Sequence, residues 1–179
     1  MALRKALSYS KKPARPYTRI SKKKGKAYIK TVPYSKIVKF DGGDYEGYIK
    51  GKHTHKVYLI TEERIQVRDN ALEAGRMVLV KEMDIGALGQ YFLRVKVHPH
   101  HFIRENKSAA AVAGADRIST GMTQSFGTVI GRAAIVNKKG IVFFISCANE
   151  KAAQVAKGAL NKVKAKLPCK TRIIFEKVR

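Results

Sequence analysis

Three histidines and two carboxylates in one stretch of the chain have the types and spacing closest to those of a reactive site. His98, His100 and His101 are followed by Glu105 and Asp116, and imidazoles with carboxylates can ligate a metal ion or act as acid and base. Adjacent residues of a strand point to opposite faces, so only His98 and His100 could share one side. No cysteine or carboxylate stands at a metal-ligand spacing from them. We therefore predict no bound metal and no cofactor.

A nuclease with His100, His101, Glu105 and Asp116 in its active site is the strongest enzyme alternative for this sequence. The acidic residues of the chain, however, form no pair that would share a pocket for acid–base work. Neither a nucleophile elbow nor a phosphate-cradling glycine motif occurs. We therefore expect no catalysis, and we expect His100 and His101 to hydrogen-bond or stack on RNA.

The same histidines begin a long connection, at about 100–127, between predicted strands that end at Val97 and start near Val129. A connection of this length in a compact domain is usually functional or disordered. Its cationic residues Arg104, Lys107 and Arg117 are candidate contacts to phosphate groups. Its middle is rich in alanine and could thread a narrow space; it consists of Ser108, Ala109, Ala110, Ala111, Val112, Ala113, Gly114, Ala115 and Asp116.

The chain begins with a cationic extension, because its first acidic residue is Asp41. The Lys and Arg residues before Asp41 contribute +13 to the formal net charge of +24. Such a stretch repels itself unless a polyanion compensates it, so we expect nucleic acid to bind the extension and to be the only thing that orders it. Tyr9, Tyr17, Tyr28 and Tyr34 are interleaved with the cations and could stack on bases. The predicted RNA contacts here are Arg4, Lys5, Lys11, Lys12, Arg15, Tyr17, Arg19, Lys22, Lys23 and Lys24.

The rest of the chain has the composition of one folded domain. Hydrophobic residues make up 45% of the 179 residues, which is enough for a core. We predict the extension at 1–40 and a single globular domain at 41–179. No apolar run reaches the roughly 18 residues of a membrane-spanning helix, so we expect no membrane partner. Cys147 and Cys169 are far apart and predict neither a disulfide framework nor a zinc site, which is typical of a cytosolic protein.

The sequence of the first half of the domain predicts a turn at 41–44, a strand at 56–60 and a helix. Thr61 is the predicted N-cap of this helix, which runs to about Met83. Arg64 and Arg68 precede the apolar stripe on nearly the same azimuth, and burying them would be costly. The start of the helix is therefore predicted to project toward an anionic partner. The stripe consists of Ala71, Leu72, Gly75, Val78, Leu79 and Met83. The predicted RNA contacts are Arg64, Arg68, Asn70 and Arg76.

The second half predicts strands at 91–97, 129–136 and 141–146, and residues 137–140 should join the last two as a hairpin. Asn149 is the predicted N-cap of a second helix, which Pro168 stops before a last strand at 171–175. The apolar stripe of this helix is Ala152, Val155, Ala156, Ala159, Leu160, Val163 and Leu167. The order of elements predicts an α/β protein of the α+β sandwich type, with two helices on one face of a mixed or mostly antiparallel sheet.

Three runs of sequence resemble one protein family. They are QVRDNALEAGR at 66–76, VHPHHFIRENK at 97–107 and AGADRISTGM at 113–122. They are similar to the L10e family of large-subunit ribosomal proteins of archaea and eukaryotes, whose bacterial counterpart is L16p. The runs MALR at 1–4 and PYTR at 16–19 look like the opening of the archaeal form.

The resemblance implies a structural constituent of the large ribosomal subunit, in the cytoplasm and in one copy per ribosome. The family packs against large-subunit ribosomal RNA near the aminoacyl-tRNA site, among neighbouring ribosomal proteins. Its long loop points toward tRNA at the peptidyl transferase centre. The alternative function is that of a general basic RNA-binding or chaperone protein outside the ribosome. Such a protein should bind free duplex with little preference for shape.

Overall fold

The computed structural model describes residues 5–11, 17–105 and 127–177, apart from the side chains of Ser8 and Lys24. Within these residues the helices are α1 (Leu7–Ser10), α2 (Tyr45–Ile49), α3 (Asp69–Ala87) and α4 (Glu150–Lys164), and Lys24–Lys26 form a 3₁₀ turn. The strands are β1 (Asp41–Gly43), β2 (His55–Thr61), β3 (Ile65–Arg68), β4 (Tyr91–Val95), β5 (His101–Glu105), β6 (Thr128–Val136), β7 (Ile141–Cys147) and β8 (Thr171–Lys177).

Two antiparallel sheets organise these elements. The larger sheet has the strand order β1-β4-β7-β2-β8, and the smaller one has the order β3-β6-β5. Helices α3 and α4 pack on one face of the larger sheet. Helix α2 lies on the other face, where the ring of Tyr48 stacks 4.8 Å from that of Phe92. The predicted α+β sandwich is therefore confirmed, and β2, β4, β6, β7 and β8 are the five strands that the sequence predicts.

The core is built from the apolar stripes of α3 and α4, as the sequence predicts. Leu72, Leu79 and Met83 of α3 are fully buried, as are Ala156 and Leu160 of α4. Such a stripe recurs every three to four residues, so it places these side chains on one side of a helix, facing the sheet. Burial of each large aliphatic side chain contributes about 1.5–3 kcal/mol to folding. Packing of α3 and α4 on the sheet is therefore the main stabilising contact of the domain.

The start of α3 differs from the prediction. Thr61 is not an N-cap: it is the last residue of β2, and its hydroxyl donates a hydrogen bond to the carbonyl of Asn137 at 2.9 Å. Strand β3 follows and pairs with β6, which buries Ile65 and Val67. The helix begins at Asp69, so Arg64 precedes a strand and Arg68 ends it. Neither arginine lies on a helix that projects from the core.

Two predicted loops also take another form. Strands β6 and β7 are not a hairpin, because they belong to different sheets. The turn at 137–140, closed by a hydrogen bond from the N–H of Gly140 to the carbonyl of Asn137 at 2.9 Å, carries the chain from one sheet to the other. The first part of the predicted loop at 100–127 is strand β5, which pairs with β6. The rest of that loop, 106–126, lies outside the described residues.

Two caps refine the predicted boundaries. Residues 41–44 are not a free turn: β1 pairs with β4, and the carboxylate of Asp44 accepts a hydrogen bond from the N–H of Gly47 at 2.8 Å, which caps α2. Asn149 stands at the N-cap of α4 as predicted. Its side-chain amide, however, donates to the side-chain oxygen of Gln90 at 3.1 Å. This contact ties the start of α4 to the turn that precedes β4.

The described part of the extension is packed against the domain, which corrects the prediction that RNA alone orders it. Ala27, Ile29 and Ile37 are buried, and only 2% of Ile29 is exposed. The N–H of Val95 also donates a hydrogen bond to the carbonyl of Phe40 at 2.8 Å. Apolar residues between the lysines therefore supply enough burial to hold this segment, although its charges repel one another.

Candidate nucleic-acid interface

The extension joins the smaller sheet at Tyr17. The backbone N–H of Tyr17 donates a hydrogen bond to Nδ1 of His101 at 2.9 Å, and its carbonyl accepts one from the N–H of Phe102 at 3.1 Å. His101 is 5% exposed, and burial, with the nearby charges of Arg104 and His100, lowers the pKa of its imidazole. An acceptor Nδ1 carries no proton, so the geometry and the lowered pKa both describe a neutral ring.

Arg104 holds the same tyrosine from its ring face. Its guanidinium carbon lies 3.8 Å from the centroid of the Tyr17 ring, a distance typical of a cation–π contact. Arg104 lies near the end of β5, two residues before residue 106, where the range 106–126 outside the described residues begins. Tyr17 and Arg104 were predicted as separate RNA contacts. The structure brings them together into one unit at the base of the long connection.

Tyr9 is held in a similar way by residues from all three strands of the smaller sheet. Its ring is packed with Ile103 and Ala133, and the guanidinium of Arg68 stands 5.2 Å from its centroid. The side-chain amide of Gln66 donates a hydrogen bond to the carbonyl of Tyr9 at 3.0 Å. Tyr9 is therefore a packing residue. Its ring is not presented for stacking on bases, which differs from the prediction.

Arg132 of the central strand β6 forms a third contact of this kind, which the sequence did not reveal. Its Nε donates a hydrogen bond to the carbonyl of Pro33 at 2.8 Å, and its guanidinium lies 5.3 Å from the ring of Phe102. Each strand of the smaller sheet thus has an arginine against an aromatic ring or the backbone of the extension. We call these contacts of Arg68, Arg104 and Arg132 the arginine junction.

The first turns of α3 fix the next stretch of the extension through carboxylates. Asp69 accepts a hydrogen bond from the N–H of Lys36 at 2.9 Å, and Glu73 accepts one from the N–H of Val38 at 3.4 Å. Arg76 donates to Glu73 at 2.8 Å, which lowers the pKa of the Glu73 carboxyl and raises that of Arg76. Arg76 was predicted to contact RNA, but its charge is compensated here and its side chain is 17% exposed.

Asn70 follows Asp69 in the first turn of α3 and is half-buried. Its backbone N–H donates a hydrogen bond to the Asp69 side chain at 2.8 Å. Its side-chain oxygen is buried and has no hydrogen-bond partner among the described residues. His100 is half-buried, and its Nδ1 lies 3.0 Å from the carbonyl of His98. Neither predicted contact is part of the arginine junction.

The remaining predicted cations of the described extension point outward. The guanidinium of Arg19 lies 4.2 Å from the ring of Tyr28, and that ring is itself 63% exposed. Tyr34 is 94% exposed. These rings and cations form a surface that can receive phosphates and bases. The predicted cations that are exposed are Lys5, Lys11, Arg19, Lys22 and Lys23 of the extension, together with Arg64 before β3.

Several predicted contacts fall outside what the structure describes. Only the backbone of Lys24 is described, within the 3₁₀ turn. The other predicted residues that lie outside the described residues are Arg4, Lys12, Arg15, Lys107, Arg117, and the loop middle Ser108, Ala109, Ala110, Ala111, Val112, Ala113, Gly114, Ala115 and Asp116.

The geometry suits binding to a polyanion better than it suits catalysis. Among residues 5–11, 17–105 and 127–177, no three metal-ligating side chains lie together. The imidazole that a nuclease would need, His101, is engaged by the N–H of Tyr17. Burial raises the pKa of the Cys147 thiol to about 12 and that of Cys169 to about 11, so neither thiol is a nucleophile at neutral pH.

None of the helices that the structure describes has both the length and the apolar composition of a membrane-spanning segment.

The chain is similar to known proteins over nearly its whole length. A family model described as ribosomal protein L16p/L10e matches residues 14–174. A relative from Staphylothermus marinus, a large ribosomal subunit protein uL16, is 40% identical over 180 residues, which is 100% of this chain and 97% of that protein. The uL16 proteins of Pyrobaculum calidifontis and Saccharolobus islandicus are each 39% identical, over 98% and 97% of this chain and 95% and 92% of their own lengths.

Proposed function

Because the chain belongs to the L16p/L10e family of ribosomal proteins, we propose that it binds large-subunit ribosomal RNA near the aminoacyl-tRNA site and helps to position tRNA near the peptidyl transferase centre. It works in the cytoplasm as a part of the large ribosomal subunit, in one copy, beside neighbouring ribosomal proteins. It has no catalysis of its own. The identity of 40% across essentially the full length of a uL16 protein is the observation that carries this proposal.

The extension binds the RNA backbone as a preformed surface. The arginine junction and the carboxylates of α3 hold residues 17–40 from the protein side. The exposed Lys22 and Lys23 then meet phosphates without first ordering the chain to which they belong. A preorganised ligand loses less conformational entropy on binding than a flexible one. This supports an extension that recognises the shape of the RNA as well as its charge.

The second part of the proposal concerns the residues between β5 and β6. These two strands pair as far as Glu105 opposite Thr128, which makes a firm base for residues 106–126. We assign the loop middle, 108–116, to the neighbourhood of tRNA, and Arg104, Lys107 and Arg117 to phosphates around it. The resemblance of residues 97–107 and 113–122 to the family supports this division.

The experiment that tests the proposal is sedimentation of the native protein with large subunits through a salt series. A protein held by about six to ten phosphate contacts alone loses roughly 10³–10⁵ in affinity between about 50 and 200 mM salt. We expect this chain to stay with the large subunit well above that range, because an embedded protein is also held by shape. Its recovery only in the soluble fraction would contradict the proposal and favour a general RNA-binding protein outside the ribosome.

A further inference from the structure

The outer face of α4 carries a dense set of lysines that the extension and the long connection do not involve. Lys151, Lys157 and Lys162 are exposed, Lys164 is half-exposed, and the exposed Lys166 lies two residues after the end of the helix. Glu150, at the first position of the helix, is the single acidic residue within α4. The helix lies on the side of the larger sheet opposite to α2. This surface is therefore cationic in its own right.

The lysines of α4 form two rows with small or uncharged residues between them. Lys157 and Lys164 are two helical turns apart and share one side of the exposed face, whereas Lys151 and Lys162 are three turns apart and share the other side. Lys162 is also paired with Glu82 of α3 at 2.7 Å, so its row is the weaker of the two. Between the rows run the exposed residues Gln154, Gly158, Asn161 and Ala165.

Gly158 is the residue within this face that the fold does not explain. Glycine in a helix interior lowers helix stability relative to alanine, and other glycines of the helix layer have a packing reason. A Cβ added at Gly75 would lie 3.0 Å from the ring of Phe143, and one at Gly86 would lie 2.7 Å from Val155. A Cβ at Gly158 would have no described atom within 4 Å. The space that the missing side chain leaves is therefore open to a partner.

We propose that the outer face of α4 binds a double-stranded region of large-subunit ribosomal RNA, with Gly158 at the point of closest approach. The wide, shallow minor groove of RNA admits a protein surface of this shape. The two lysine rows then reach the phosphates on either side of the groove. The negative charge of Glu150 repels phosphates from the start of α4. The contact should therefore lie toward the C-terminal half of the helix, where Lys164 and Lys166 add positive charge. This inference rests on the proposed function, since it takes ribosomal RNA as the partner.

A protein partner is the competing occupant of this side of the molecule. Met77 and Ile85 of the neighbouring helix α3, and Leu88 directly after it, are exposed and apolar. The lysines of α4 favour RNA as the occupant. Five cations against one carboxylate attract the phosphates of RNA and repel a protein surface that is itself basic. An RNA partner and a protein partner would be weakened by different substitutions. Loss of lysine charge weakens an RNA contact, whereas a polar residue at Ile85 weakens a contact with a protein.

The test compares variants of the full chain for binding to deproteinised large-subunit ribosomal RNA across a salt series. The double variant Lys157→Gln with Lys164→Gln should reduce the slope of log K against log salt by about 2. The matched control, Lys50→Gln with Lys52→Gln, removes the same charge from the opposite face of the sheet and should leave the contact of α4 intact. Gly158→Ala should raise Tm by about 2–4 °C and yet weaken RNA binding several-fold.

The outcomes separate the inference from the proposed function. If the wild-type chain does not prefer its own ribosomal RNA to unrelated RNA, the proposed function itself fails. If the wild type does prefer it, but the lysine variant matches the control and Gly158→Ala binds normally, only the inference about α4 is overturned. If Ile85→Ser loosens the chain from assembled subunits while both α4 variants bind RNA normally, the face belongs to a protein and the RNA assignment is wrong.

Discussion

The backbone N–H of Tyr17 donates a hydrogen bond to Nδ1 of His101 at 2.9 Å, across a separation of more than eighty residues in the chain. The carbonyl of Tyr17 accepts a bond from Phe102 on the same strand. Because β5 is an edge strand of the smaller sheet, Tyr17 occupies part of its free edge. The same strand leads directly into residues 106–126. One structural unit therefore anchors the cationic extension and carries the base of the long connection.

Acidification should loosen this unit. The folded-state pKa of His101 lies below its ordinary value of 6.5, so the stabilisation is fully present above pH 6.5. It is lost as the pH falls from there toward the folded-state pKa, because the unfolded chain takes up the proton first. We expect the Tm of the wild type to fall between about pH 7 and pH 5.5 more than that of His101→Gln, whose side chain accepts a hydrogen bond but does not titrate.

Thermal unfolding of both proteins over this range of pH measures the difference. His53 has a pKa that burial lowers in the same direction, so it contributes to the pH dependence of both proteins and cancels in the comparison. Parallel pH profiles for the two proteins would contradict the role given to His101.

The pair Tyr17 and Arg104 should be coupled energetically. Their contact at 3.8 Å is half-buried, and cation–π contacts contribute about 0.5–2 kcal/mol according to how far they are desolvated. A double-mutant cycle with Tyr17→Leu and Arg104→Gln, measured by urea unfolding, isolates this contact from the other contacts of Arg104. The exposed pair Arg19 and Tyr28, at 4.2 Å, provides the matched cycle and should give the smaller value. Equal coupling in both cycles would show that burial at the junction adds nothing.

Gly75 and Gly158 should respond in opposite directions to the same substitution. An added Cβ at Gly75 would press on Phe143 and Val163 in the core, so Gly75→Ala should lower the free energy of unfolding by about 1–3 kcal/mol. Gly158→Ala meets open space and should raise it by about 1 kcal/mol. Urea unfolding measures both values. Stabilisation by both substitutions would contradict the close approach of α3 to the sheet.

Helices α3 and α4 could be predicted because their signal is local, whereas the short helix α2 was not predicted. The stripes around Leu79 and Leu160 repeat within one helix, and hydrophobic burial on one side is sufficient to identify them. Strand β3 could not be found in this way, because Ile65 and Val67 are stabilised by pairing with β6, far along the chain. A short apolar run of this kind fits a strand or a helix equally well until its partner is known.

The contacts of the interface show the same limit. The sequence marks Tyr17, Arg104 and His101 as polar or aromatic residues in basic surroundings, but their pairing depends on the extension meeting the edge of a sheet. The pairing of Arg76 with Glu73 had a local signal, since residues three apart on a helix are neighbours. The contact of Glu73 with the N–H of Val38 had none. Side-chain type thus predicts which residues could contact RNA, while tertiary structure decides which of the cations are exposed.

Removal of the loop middle should separate two roles of the protein. Deletion of residues 108–114 leaves the extension, the arginine junction and both sheets intact, so we expect assembly of the large subunit to proceed. Placement of tRNA, measured by binding to the aminoacyl-tRNA site of purified ribosomes, should be impaired. Replacement of the same residues by a Gly/Ser segment of equal length is the control for chain connectivity. Equal loss of assembly and of tRNA binding would argue against a division of roles between loop and extension.

A density map of the native large subunit from the source organism tests the central claim most directly. We expect the chain to be present in one copy, with Arg19, Lys22 and Lys23 against phosphates of the ribosomal RNA and residues 108–116 directed toward the tRNA-binding cavity. Tyr17 should remain bonded to His101 in the particle. A subunit that lacks this chain, or one in which the cationic extension faces solvent while another surface meets the RNA, would contradict the account.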